Sequence, residues 1–238
     1  VGYLSLYANT TANENVSVGA NAMRYNTTGA SNTATGYAAL YANTTGNNLT
    51  AVGMQALYSN TTGLNNTAFG NNALLSNTTA NGNTSIGYYS MNSNSTGASN
   101  TALGDQAMRF NTTASNNTAV GYKSLYANTT GASNVAIGRD ALYTNSTGSE
   151  NIAIGQHAFR LSTVSNAGVA IGAYALKTST TGIQNIAIGM GTMDASTSGS
   201  YNIAIGDSAM GSTTTAAQSV VIGYEALKTA TTSSENIV

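Results

Sequence analysis

Residues 134–138 read Asn-Val-Ala-Ile-Gly, and the chain keeps returning to that phrase. Ile replaces Val in the copies that end on Gly155, Gly189 and Gly206. Looser versions end on Gly2, Gly19, Gly36, Gly53, Gly70, Gly87, Gly104, Gly121, Gly172 and Gly223. Each of these fourteen glycines follows the last by seventeen residues, and fourteen times seventeen is the whole 238-residue chain. A fixed period of this size marks a solenoid, whose coils stack so that each touches only its neighbours. The sequence therefore predicts an all-β protein: a parallel β-solenoid, or β-roll, of fourteen 17-residue coils, with residues 1–238 a single repeat array.

Counting each such glycine as register 0 lays out one coil. Register 4 is apolar in all fourteen coils, from Leu6 to Leu227, and register 16 in all but one, where Thr35 stands. Register 14 opens with Val16, is Thr in early coils (Thr33, Thr50, Thr67) and Val or Ile later (Ile152, Ile186, Ile203), while register 15 is nearly always Ala or Ser. Large, small, large is period two, which argues a strand over registers 14–16. Register 3 is small, just before the large residue of register 4, and reads as the start of a second short strand. Turn chemistry separates the two. Gly36, Gly53, Gly121, Gly138 and Gly155 mark the tight turn at register 0, where the backbone needs positive φ or a close approach. Registers 7–10 read Asn-Thr-Thr-Gly, as at residues 43–46, a broader turn. Stacking at about 4.8 Å predicts a rod of roughly 65 to 70 Å.

The charges support one coil shape throughout. All fifteen Asp, Glu, Lys and Arg fall in registers 1, 2, 5 and 12, with Arg24, Arg109, Arg160, Lys177, Asp194 and Lys228 at register 5. Desolvating a charge is costly, so these registers are expected to face water. Seven Lys and Arg against eight Asp and Glu give no footprint for nucleic acid or an anionic membrane. There is no cysteine for a disulfide or thiolate site, and no proline to interrupt a ladder. The apolar runs are too short for a segment that inserts in a membrane. The chain opens on Val1 and closes on Val238 in mid-phrase, and reads as a section of a longer fibrous protein.

Residues 134–141, Asn-Val-Ala-Ile-Gly-Arg-Asp-Ala, resemble the head repeat of trimeric autotransporter adhesins of the YadA type, whose phrase is roughly Asn-Ser-Val-Ala-Ile-Gly-x-x-Ser/Ala. The likeness covers the Val-Ala-Ile-Gly core and the small residue three positions on; the order of Asn and Ser before it is inverted, at Ser133 and Asn134. The coil here is longer than the family's by an Asn-Thr-Thr-Gly turn. That longer phrase also looks like repeats of phage tail fibres. The resemblance implies a left-handed β-roll of three chains, extracellular, on a cell surface or virion fibre. The residues give a reason of their own. With registers 4, 14 and 16 as the core, each coil has a thin interior, and the small residues of registers 15 and 3 would let a sister chain approach closely. The alternative is a single chain whose small residues suit a narrow lumen.

Nothing in the sequence asks for a cofactor or a metal, and no enzyme is expected. His157 is the sole histidine, at a register expected to face water, which leaves no His-based triad. Asn9-Thr10-Thr11 and its equivalents fit an N-glycosylation acceptor, although an Asn ladder or turn cap explains the same residues. Thirteen of the fourteen tyrosines fall in the charge-bearing registers. Tyr7, Tyr41, Tyr58, Tyr126 and Tyr143 share register 5, and Tyr3, Tyr37, Tyr88, Tyr122 and Tyr224 share register 1. The register 5 rings are the candidate contacts to a host-surface glycan, stacking on sugar faces; packing on one another or on a sister chain is the alternative. The leading expectation is a structural and adhesive fibre segment, with self as one partner and a glycan receptor as another. An ice-binding solenoid is the second, because register 8 is Thr or Ser in every coil.

Overall fold

The computed structural model describes residues 1–232 and 234–238. It falls into two compact units, Val1–Asn116 and Asn117–Val238. Among the described residues there is no helix, and the strands are three residues each. The first unit carries β1 (Val16–Val18), β2 (Thr33–Thr35), β3 (Thr50–Val52), β4 (Thr67–Phe69), β5 (Thr84–Ile86) and β6 (Thr101–Leu103). The second carries β7 (Thr118–Val120), β8 (Val135–Ile137), β9 (Ile152–Ile154), β10 (Val169–Ile171), β11 (Ile186–Ile188), β12 (Ile203–Ile205) and β13 (Val220–Ile222). Within each unit every strand pairs in parallel with the next, like register on like register: Thr50 opposite Thr67, Ile186 opposite Ile203. Each unit is thus a stack of seventeen-residue coils, a parallel β-solenoid.

One strand per coil forms, at registers 14–16. The second strand expected at registers 3–4 does not. Registers 2 and 4 both take left-handed backbone, as at Ala38 (φ 53°) and Leu40 (φ 52°), so the chain curls through a double turn there. The turns close on themselves, Ala39 N–H donating to Gly36 C=O at 3.4 Å and Asn43 N–H to Leu40 C=O at 3.2 Å. Coil-to-coil bonding survives the curl: Leu40 N–H donates forward to Ala56 C=O at 3.0 Å, and Ala38 N–H backward to Ala20 C=O at 2.9 Å.

The sidedness of the strand also differs from expectation. Registers 3 and 15 point inward: Ala39, Ala51, Ala136 and Ala187 have no exposed surface. Registers 14 and 16, expected in the core, point outward; Phe69 is 50% and Ile222 59% exposed. Alternation tells which residues share a face, and says nothing of which face is inside. The lumen decides it. Register 4 already fills it with one large side chain per coil, Leu40, Leu57 or Phe159, and the polar side chains of registers 7 and 13 share the remaining space, so mostly Ala and Ser stand behind the strand, with Val221 the largest side chain there.

Those Asn form two ladders. At register 7, Asn43 Nδ2 donates to Asn26 Oδ1 at 2.7 Å and to Gly46 C=O at 3.0 Å, and Asn60 repeats the pattern onto Asn43 at 2.9 Å. At register 13, Asn134 Nδ2 donates to Gly148 C=O at 2.9 Å and its N–H to Asn117 Oδ1 at 2.9 Å. A buried amide left unpaired costs about 1–3 kcal/mol, so the repeat of partners is what permits polar residues inside. The glycine of register 0 meets both of its expected demands. Gly138 has φ 126°, and a Cβ there would lie 2.6 Å from Gly155 O.

Candidate functional site

Two surfaces of each unit stand apart from a solvated background: the strand face and the aromatic turn.

The outward face of the strands alternates with the buried alanines. In the first unit it pairs threonine with a large apolar residue: Thr50 and Val52, Thr67 and Phe69, Thr84 and Ile86. In the second it becomes apolar at both registers from β8 onward, as in Val135 and Ile137, Ile152 and Ile154, Ile186 and Ile188. No charged residue occupies registers 14, 15 or 16 anywhere in the chain. Sequence reasoning placed these side chains in the core and so missed the surface. The available signal was the alanine between them, too small to be the filler of an outer face and too uniform to be chance.

The aromatic turn follows at registers 1, 2 and 5. Charges expected to face water do so, with one exception: Asp140 is 6% exposed. Its Oδ2 lies 3.5 Å from His157 Nδ1 and 3.6 Å from Arg139 Nε. His157, read from sequence as a solvated turn residue, is half-buried with its Nδ1 lacking a hydrogen-bond partner. Burial lowers the His157 pKa from its ordinary value, outweighing the opposing pull of Asp140.

The register 5 tyrosines are brought together in pairs. In the first unit Tyr41 and Tyr58 stack with centroids 4.8 Å apart and planes at 3°, and Tyr25 meets Tyr41 edge-on at 5.0 Å. In the second, Tyr126 and Tyr143 stack at 5.0 Å and 3°. Tyr7 stands open at 69% exposure. Hydrogen bonding to Tyr25 pushes the Tyr41 phenol above its ordinary value. Cations close the outer faces: Arg160 Cζ lies 5.5 Å from the Tyr143 centroid, and Lys123 Nζ 5.3 Å from that of Tyr126. Ring faces held this way are spent on their neighbours. At register 1, Tyr3 and Tyr224 are the most exposed, at 76% and 75%.

The Asn-Thr-Thr turns are settled by burial. From Asn26 to Asn145 the register 7 side chains are buried in the ladder, unavailable as glycosylation acceptors; Asn9 is exposed. Register 8 hydroxyls point along the stack, Thr27 Oγ1 donating to Thr44 C=O at 3.0 Å and Thr61 Oγ1 to Thr78 C=O at 3.1 Å. Register 9 threonines such as Thr45, Thr62 and Thr130 stand exposed beside them.

Among the described residues no three of His, Asp and Glu gather to hold a metal ion. No protein-family model matches the chain, and no curated protein matches it.

Proposed function

We propose that this chain is a structural and adhesive segment of an extracellular fibre, carrying no catalytic site, in which copies of the chain pack through their strand faces. The observation that carries the reading is the outward face of β8–β13: twelve Val and Ile side chains with no charge among them. Completing the burial of such a side chain contributes on the order of 1 kcal/mol. Twelve of them give roughly 10 kcal/mol per copy, within the cost of association of about 4–15 kcal/mol. A periodic face is also complementary to itself, since equal strand spacing lets like rows interleave. The Val-Ala-Ile-Gly resemblance supports three copies. The small residues of registers 3 and 15 suggested the alanine rows as the meeting surface; those rows line the lumen, so the valine and isoleucine rows take that role. The turn surfaces would then face outward and present repeated weak sites to a receptor, where avidity adds.

The test is the oligomeric state, by light scattering on the purified chain and on Ile154→Glu with Ile188→Glu. A trimer that the paired substitution converts to a folded monomer is the expected result. A wild-type chain that stays monomeric at micromolar concentration overturns the reading.

The exposed register 9 threonines, one per coil through most of the chain, support a second reading, an ice-binding surface. Thermal hysteresis in the wild-type chain that is lost on Thr45→Leu with Thr62→Leu would favour it over the fibre.

A further inference from the structure

The charges of the aromatic turn are not spread evenly along the chain. Over residues 121–188 registers 1, 2 and 5 carry Lys123, Arg139, Arg160 and Lys177 against a single acid, Asp140. That acid is withdrawn from solvent beside His157 and Arg139, so the surface itself is cationic. Acids return beyond it at Asp194, Asp207 and Glu225, and Lys177 Nζ lies 3.9 Å from Asp194 Oδ1 where the two stretches meet. The cations occupy four successive coils. Arg139 holds its side chain 62% exposed, and Arg160 Nε is buried with no hydrogen-bond partner. Tyr126 and Tyr143 stand in the same turns with their ring faces engaged.

We infer that this stretch binds a linear anionic polysaccharide laid along the stack, with one carboxylate or sulfate meeting each cation. The coils repeat at about 4.8 Å, close to the rise of one sugar ring in an extended chain, so a polymer can keep step with the ladder over several rungs. Arginine offers a planar fork that matches carboxylate and sulfate oxygens. The same geometry disfavours a single-stranded nucleic acid, whose affinity for aromatic surfaces comes from bases stacking on free ring faces. The inference rests on the fibre reading for its setting and deepens it by naming the ligand class.

Affinity electrophoresis of the whole chain in gels containing heparin, polygalacturonate or dextran tests it, with oligomeric state measured on the same samples. Retardation by heparin or polygalacturonate and none by dextran is expected, weakening steadily with added salt. Arg139→Ser and Lys177→Ser should each weaken binding roughly two- to fivefold, the scale of an exposed ion pair, and together about tenfold, in chains that circular dichroism shows to be folded at the temperature of the gel. Retardation by dextran equal to that by heparin overturns the inference. So does an Arg139→Ser, Lys177→Ser chain that binds like wild type, or the absence of retardation in every gel. A trimer that fails to bind sinks this inference alone, whereas a monomer sinks the fibre reading and leaves polyanion binding to be judged from the gels.

Discussion

Phe159 and Gly168 share one space in the lumen. Phe159 is the sole aromatic residue at register 4, Gly168 the sole glycine at register 13, and both lie in the same coil. A Cβ on Gly168 would sit 2.5 Å from Phe159 Cε2 and 2.6 Å from Cζ. In most coils an Asn occupies that place, so the larger ring is accommodated by deleting the ladder side chain, while Gly168 N–H still donates to Asn151 Oδ1 at 3.0 Å. Gly168→Asn should therefore destabilise the second unit by about 1–3 kcal/mol, the usual cost of overpacking. Phe159→Leu with Gly168→Asn restores the Leu-and-Asn pairing of Leu142 with Asn151, and should recover most of that loss. Equilibrium unfolding of the two single variants and the double measures the coupling, and additive effects would count against shared space.

The register 7 ladder has a visible end. Asn145 Nδ2 donates to Asn128 Oδ1 at 2.9 Å, but its own Oδ1 is buried without a partner, as are Ser162 Oγ and Ser179 Oγ in the coils that follow. Ser162→Asn would supply a donor for Asn145 Oδ1 and raise stability by about 1 kcal/mol. Truncating an interior rung, Asn60→Ala, should lower it by about 1–3 kcal/mol. Chemical denaturation of both variants checks the pair of opposite signs.

Left-handed backbone recurs at registers 2, 4 and 12, mostly at residues other than glycine. Ala167 (φ 53°) holds this conformation in a half-buried turn, and Gly82 already fills the same register in another coil. Relieving the Cβ clash is worth about 1–2 kcal/mol, and glycine's extra chain entropy returns about 0.5–1 kcal/mol. Ala167→Gly should thus stabilise by up to about 1 kcal/mol. Gly138→Ala should cost about 3 kcal/mol or more, since its Cβ would strike Gly155 in the next coil. Thermal melts of the two variants should move in opposite directions.

His157 should make the second unit acid-sensitive. Its folded pKa is lowered by burial, so near and below the ordinary histidine value the unfolded chain binds more protons than the folded one. Stability then rises with pH through that window and falls on acidification. A melting-temperature series from pH 8 to 5 should show the decline, and His157→Gln should remove its own share of it. An unchanged slope in the variant would assign the sensitivity elsewhere.

The seventeen-residue interval, the parallel strand at registers 14–16, the Asn turns and the registers that tolerate charge all follow from the chain itself, because stacked coils repeat the same environment and each residue type reports on it. Period two also says that Ile152 and Ile154 lie on one side and Ala153 on the other. It does not say which side is inside, since alternation is symmetric about the sheet. Nor does it show that Leu142 sits in a left-handed turn, because the residue pattern there imitates a strand. Those choices were made by the width of the lumen. Once one large side chain and the laddered polar groups fill it, little more than small side chains fits against the sheet, and nearly all of the strand valines and isoleucines are left outside.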